Sequence, residues 1–89
     1  MHPDPENELD QPPLFGLGDK VRIREIIRND GTYFGAARGT ILAYPGDEGY
    51  VVYIGTFLQR FYIYAVHSLA KGFIIGCRAK ELQLLEKSP

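Results

Sequence analysis

The stretch "YVVYIGTFLQRFYIYAVH", Tyr50 to His67, decides the fold. Its two ends, "YVVYI" (Tyr50–Ile54) and "FYIYAVH" (Phe61–His67), are short runs rich in β-branched and aromatic residues. A pleated, half-buried surface selects that composition. "GTFLQR" (Gly55–Arg60) interrupts them. The spacing predicts two strands joined by a short irregular segment. Alternation along the second run puts Phe61, Ile63, Ala65 and His67 on one side.

Strand signals continue outward in both directions. Upstream, "GDKVRIREII" opens on a Gly18-Asp19 turn and then alternates, with Val21 and Ile23 facing one way and Lys20, Arg22 and Arg24 the other. "RGTILAY" predicts a further strand, closed by the turn-forming run Pro45-Gly46-Asp47-Glu48-Gly49. Downstream, "AKG" is a hairpin-type connection into "FIIG". The tail "CRAKELQLLE" reads as a helical or 3₁₀ turn and then a last strand through Leu82, Leu84 and Leu85. Five to six short strands, with one helical or 3₁₀ turn near the C-terminus, predict an all-β domain. A strand, a long loop, three strands in meander, a single turn and a short final strand is the connectivity of a small SH3-like barrel.

A chain of 89 residues is one domain at most. The segment "MHPDPENELDQPP" carries four prolines and four acids but only Leu9 as a large apolar residue besides Met1. It is expected to be a disordered acidic arm over residues 1–13. The domain is then 14–86, followed by a flexible 87–89.

The net charge is −1. Setting aside Asp4, Glu6, Glu8 and Asp10 leaves the folded body mildly basic, short of the dense basic face of a nucleic-acid binder. No apolar stretch approaches the ~20 residues of a membrane span, and no signal peptide opens the chain, so a cytoplasmic location is expected.

Three constellations carry chemistry. In "NDGTYFG", Asn29-Asp30-Gly31 is strong turn chemistry. Thr32 follows, and then Tyr33 and Phe34, two aromatics where a loop is usually polar. They lid one end of the core, or they meet a partner, and the two roles are compatible in a barrel whose long first loop walls the binding surface. In "GTFLQ" (Gly55 to Gln59), Phe57 and Leu58 are adjacent, so an extended chain would point them in opposite directions. One faces the core; the other meets solvent, another loop or a partner.

The third constellation is "GCRAKEL". Cys77 sits beside Arg78 and Lys80, cations that could lower a thiol pKa, yet a free Cys most often serves as a small buried hydrophobe. A lone Cys excludes an internal disulfide and a self-contained Cys-based metal site. No metal and no cofactor is expected. There is no Ser/His/Asp set, carboxylate pair or phosphate-binding glycine loop, because "GLGDK" opens a strand and not a helix. The chain is not expected to be an enzyme.

Taken together and in order, "GDKVRIREIIRNDGTYFGAARGTIL", "GYVVYIGTFLQ", "IYAVH" and "GCRAKEL" resemble the NifZ family of nitrogenase accessory proteins. The resemblance spans residues 15–86. It implies an SH3-like barrel that assists maturation of the nitrogenase molybdenum–iron protein, specifically the formation of its [8Fe–7S] P-clusters, by docking to the immature client. Asn29, Asp30, Gly31, Thr32 and Tyr33 match the first family motif. Gly55, Thr56, Phe57, Leu58 and Gln59 match the second, and Gly76, Cys77, Arg78, Glu81 and Leu82 the third.

The expected docking residues are Asn29, Asp30, Gly31, Thr32, Tyr33, Phe57, Leu58, Gln59 and Arg78. Tyr33 and Phe57 would anchor, Asn29, Asp30 and Gln59 would give polar register, and Arg78 would pair with a client carboxylate. Cys77 is held open for a thiol role. The family usually has Pro where this chain has Phe34, which frees φ and adds an aromatic. Besides the immature client, no nucleic acid and no membrane is expected as a partner, and the chain would be a monomer or weak homodimer. The competing possibilities are an iron or cluster carrier using Cys77 and an SH3-like regulatory subunit of a redox enzyme.

Overall fold

In "KVRI" the alternation is realised: Val21 and Ile23 are buried, Lys20 and Arg22 half-buried on the other side. The computed structural model describes residues 7–89. Seven strands follow one another: β1 (Lys20–Ile23), β2 (Ile27–Arg28), β3 (Ile41–Ala43), β4 (Glu48–Phe57), β5 (Phe61–Ser68), β6 (Ile74–Cys77) and β7 (Leu82–Glu86). Two 3₁₀ turns accompany them, Glu8–Asp10 and Ala79–Glu81. The strands make a five-stranded antiparallel sheet in the order β6-β5-β4-β1-β7 and a separate two-stranded sheet, β2-β3. The domain is all-β and SH3-like, but the barrel is open: no strand pairing joins the β6 edge to the β2-β3 hairpin.

Two local events raise the strand count above the five or six expected. "GDKVRIREII" is not one strand. After Ile23 the chain leaves the ladder, with the Arg24 amide donating to the Glu81 carbonyl at 2.8 Å, and pairs again only at Ile27. "GTFLQR" is less of an interruption than it reads, since Gly55–Phe57 continue β4 and only Leu58–Arg60 turn.

The ten-residue β4 carries a bulge at Val52: Val51 faces Val66, and the next paired residue, Tyr53, faces Ala65. An extra residue of this kind bends and twists its strand. The start of β4 accordingly pairs with β1 as well as β5, and the rest with β5 alone. Gly49 pairs with both β1 and β5, and any Cβ there would collide with the His67 carbonyl.

Both sheets supply the core. Val21, Ile23, Val51, Tyr64, Val66, Ile75, Cys77 and Leu82 come from the larger sheet, and Ile27, Leu42 and Ala43 from the hairpin. Phe15 closes one end, set edge-on to Tyr64 with ring centroids 5.2 Å apart. That geometry suits the ring quadrupoles.

Both ends of the described chain make specific contacts with the domain. Residues 1–6 lie outside the described residues, but 7–13 are built onto the domain. Glu8 donates its amide to the Arg60 carbonyl at 2.9 Å, and the Tyr62 hydroxyl donates to the Gln11 carbonyl at 2.6 Å. The segment is held by polar contacts and not by burial. At the other end the Ser88 amide donates to Asp19 Oδ1 at 2.8 Å, and Asp19 also accepts the Gly16 amide at 2.8 Å. These two amides hold the buried Asp19 carboxyl below its usual range.

Candidate functional site

Asn29 organises the long loop between β2 and β3. Its side-chain amide donates to the carbonyls of Tyr33 and Ala36, both at 2.8 Å, and its Oδ1 accepts the amides of Gly31 at 3.0 Å and Tyr33 at 3.1 Å. The residue is only 3% exposed. It therefore shapes the loop from within and has no free valence for a client, contrary to the expected role in polar register. Arg38 clamps the same loop from outside, donating through Nε and Nη2 to the Asp30 carbonyl at 3.1 and 2.8 Å. Asp30 Oδ1 takes the Thr32 hydroxyl at 2.7 Å and the Thr32 amide at 3.1 Å, which lowers its pKa.

The loop so built leans over the outer face of the larger sheet. Tyr33 is half-buried against Phe73, with centroids 5.0 Å apart. Gly35 lies beneath the Tyr33 ring, where a Cβ would come within 2.6 Å of it. Tyr33 is thus more core lid than rim. Phe34 is the aromatic left in solvent, at 96% exposure.

Between loop and sheet lies a cleft of about 340 Å³. Asp30, Thr32 and Tyr33 of the loop, with Ile27, Arg28 and Leu42 of the hairpin, line one side, and Phe57, Phe61, Ile63, Ile74 and Gly76 of the larger sheet the other. Arg78 and Glu81 close one end. The cleft occupies the gap left open in the barrel, so the outer edge of β6, paired with β5 alone, and the hairpin are its two sides.

Five of the expected docking residues meet here: Asp30, Thr32, Tyr33, Phe57 and Arg78. Gly31 and the exposed Leu58 and Gln59 are not part of its lining. Phe57 and Leu58 do not split between core and solvent; both are exposed, at 52% and 69%. The strand ends at Phe57, and Leu58 and Gln59 turn with φ of 54° and 55°. Two consecutive non-glycine residues in the left-handed region make this turn strained. Phe61, Ile63 and Ile74 were not singled out from the sequence. The signal was there, since β5 is apolar on both of its faces.

Arg78 is already engaged. Its Nη2 donates to Glu8 Oε1 at 2.8 Å and its guanidinium lies 3.9 Å from the centre of the Phe61 ring. Its own amide donates to Glu81 Oε1 at 2.7 Å. A client carboxylate would have to compete for it. Burial works to raise the Glu8 pKa, but the Arg78 hydrogen bond, the Tyr62 amide and the Arg78 charge together bring it below its usual value.

Cys77 lies on the other side of the sheet, 1% exposed, beside Ile75 and Tyr64 in the core. Burial, followed by the Glu81 charge, pushes its thiol up to about 12. Burial thus outweighs the cationic sequence neighbours, and Cys77 takes the more common role of a free Cys, a small buried hydrophobe. Among the described residues no group of three or more His, Cys, Asp or Glu is placed to hold a metal ion.

The family model described as the NifZ domain matches residues 12–84, a span that takes in every wall of the cleft. The chain belongs to the NifZ family. A Sinorhizobium fredii protein bearing the NifZ name is 46% identical over 80 residues, covering 90% of this chain and 74% of its own. Protein NifZ of Azotobacter vinelandii is 49% identical over 72 residues, and that of Klebsiella pneumoniae 44% over 70. The match covers 81% and 79% of this chain but only 45% and 47% of theirs, so the chain corresponds to about half of each. No solved structure matches the chain. Membership makes this a nitrogen-fixation accessory protein. Among the described residues no helix is long and apolar enough to cross a membrane.

Proposed function

We propose that the cleft between the long loop and the outer face of β5 and β6 is a docking surface for the immature nitrogenase molybdenum–iron protein, which the domain holds in the cytoplasm during P-cluster formation. One observation carries this reading: residues from three motifs far apart in sequence converge on a single cleft with exposed apolar side chains along one side. Phe57 and Ile74 are each about half exposed there, at 52% in both cases. Apolar side chains gathered around a concave surface with a polar rim are a common basis of protein recognition. The cluster would be the client's own, since the one thiol of this chain is buried, protonated and on the far face of the sheet. The domain would act as an accessory factor and not as a catalyst.

The test is an anaerobic binding titration against the immature molybdenum–iron protein, paired with urea denaturation of the same variants. Phe57→Ala is expected to leave the denaturation midpoint nearly unchanged and to weaken binding by at least ~2 kcal/mol, about thirtyfold. Tyr33→Ala, which strips the lid from the core, is expected to lower stability first. Unchanged affinity in a folded Phe57→Ala chain would remove the cleft from the interface.

A further inference from the structure

Residues 7–13 lie across the domain in a way that packing alone does not explain. Asn7–Leu9 are half-buried and Asp10–Pro13 exposed, so the segment adds nothing to the buried core. What holds it is a line of polar contacts. Glu8 uses both carboxylate oxygens, Oε1 toward Arg78 Nη2 at 2.8 Å and Oε2 toward the Tyr62 amide at 3.1 Å. The Glu8 amide donates to the Arg60 carbonyl at 2.9 Å, and the Gln11 carbonyl accepts the Tyr62 hydroxyl at 2.6 Å. At the end of the line the Leu14 amide donates to the Tyr64 hydroxyl at 3.0 Å. Pro12, Leu14, Tyr62, Tyr64 and Ala79 frame a second cleft of about 290 Å³ along this track.

These contacts read one carboxylate and a backbone. Apart from Glu8, each of them reaches a main-chain N–H or C=O of the segment, which any extended peptide supplies. The carboxylate site is also continuous with the docking cleft, because Arg78 belongs to both and rests on the Phe61 ring that lines the latter. The tether is weak. The Arg78 and Glu8 side chains are each 33% exposed, and ion pairs open to solvent contribute little.

Resting on the docking role proposed above, we infer that the Arg78–Tyr62 surface is a recognition site for an extended acidic segment, occupied in this chain by its own residues 7–13, and that a carboxylate-bearing segment of the client displaces them. Residues 7–13 are then an internal ligand that covers Arg78 until the client arrives. The site favours acidic segments, because the Arg78 guanidinium and the Tyr62 amide both donate and neither can accept from a basic side chain.

The test uses the full chain carrying Glu8→Ala, with Tyr62→Phe as a second variant that removes only the hydroxyl bonded to Gln11. The probe is a synthetic peptide of sequence NELDQPPL, residues 7–14, together with a control in which its Glu is replaced by Lys. In Glu8→Ala the Tyr62 amide is expected to exchange faster while the Tyr64 amide, deeper in β5, is unchanged. The peptide should bind Glu8→Ala at least tenfold more tightly than the unsubstituted chain, the control should not bind, and Arg78→Ala added to Glu8→Ala should abolish binding. Client affinity should rise by a similar factor in Glu8→Ala, and the peptide should compete with the client.

Equal peptide binding to both chains, or client affinity unchanged or reduced in Glu8→Ala, overturns the inference and makes residues 7–13 a fixed part of the fold. Failure of the docking role shows differently. The client then binds neither the unsubstituted chain nor Glu8→Ala, while the peptide still distinguishes the two.

Discussion

Replacing Asn29 by Ala should unfold the long loop before anything else in the domain. The side chain makes four hydrogen bonds between 2.8 and 3.1 Å inside the loop, from a position 3% exposed. At about 1 kcal/mol net for each, the set contributes roughly 4 kcal/mol. Gly31 is exposed and Tyr33 half-buried, so water recovers part of the loss and about 3 kcal/mol remains. A domain of this size has on the order of 5–10 kcal/mol in all, so the variant forfeits a large share of it. In urea, at a slope of about 1.5 kcal/mol per molar, the midpoint should fall by ~2 M. Hydrogen exchange at the Gly31 and Tyr33 amides should accelerate in parallel, because both donate to Asn29 Oδ1. Asn29→Asp separates the two halves of the network: it keeps acceptors for those amides but faces the Tyr33 and Ala36 carbonyls without a proton. It should be at least as unstable at pH 7 and partly recover as the pH falls and the new carboxyl protonates. An Asn29→Ala chain within ~0.5 kcal/mol of the parent, with both amides still protected, would refute the keystone role.

Leu58→Gly should stabilise the domain by about 0.5–1 kcal/mol, the left-handed strain at φ 54° less the extra freedom of glycine in the unfolded chain; a lower urea midpoint would show the turn to be unstrained. With its thiol pKa near 12, Cys77 should resist a disulfide reagent at pH 8 until urea unfolds the chain, and stoichiometric labelling of the folded protein would contradict its burial. Asp19 has a depressed folded pKa, so its contribution is fully present above its ordinary value of 3.8 and is lost as pH falls through the lower folded value. Asp19→Asn should therefore lower stability at pH 7 and flatten the acid limb below about pH 4, as followed by urea midpoints from pH 3 to 7; an unchanged acid limb would count against the linkage.

The strands were legible where one face is buried and the residues alternate, as in Val21 and Ile23, or where β-branched and aromatic residues run together, as in Phe61 to His67. The motif residues were legible as a set, and five of them do share one cleft. What failed was direction. Polarity says that Asn29 seeks hydrogen bonds but not whether it finds them inside the loop or outside it. Arg78 and Lys80 are neighbours of Cys77 in sequence, yet in "IIGC" the thiol shares the inward face with Ile75, and burial outweighed charge. The buried-hydrophobe reading of Cys77 is therefore the one that holds. The contacts of the acidic segment were not legible for a different reason: its partner Arg78 is 70 residues from Glu8, and no local pattern announces a contact at that range.

The separation of the two sheets has a mechanical consequence. The β2-β3 hairpin is rooted in the domain by main-chain bonds at Ile23, whose amide donates to Asp47 and whose carbonyl accepts from Gly46. Beyond that root the two sheets share no ladder, and the hairpin is held by the buried side chains of Ile27 and Leu42. The cleft therefore has a stiff floor and a jaw hinged at one end. Parting the jaw breaks no strand pairing; apart from the Tyr33–Phe73 ring contact, its main penalty comes from exposed apolar surface and grows smoothly with area. Such a jaw can close on surfaces of differing width, and its grip should loosen on cooling as the hydrophobic contribution weakens.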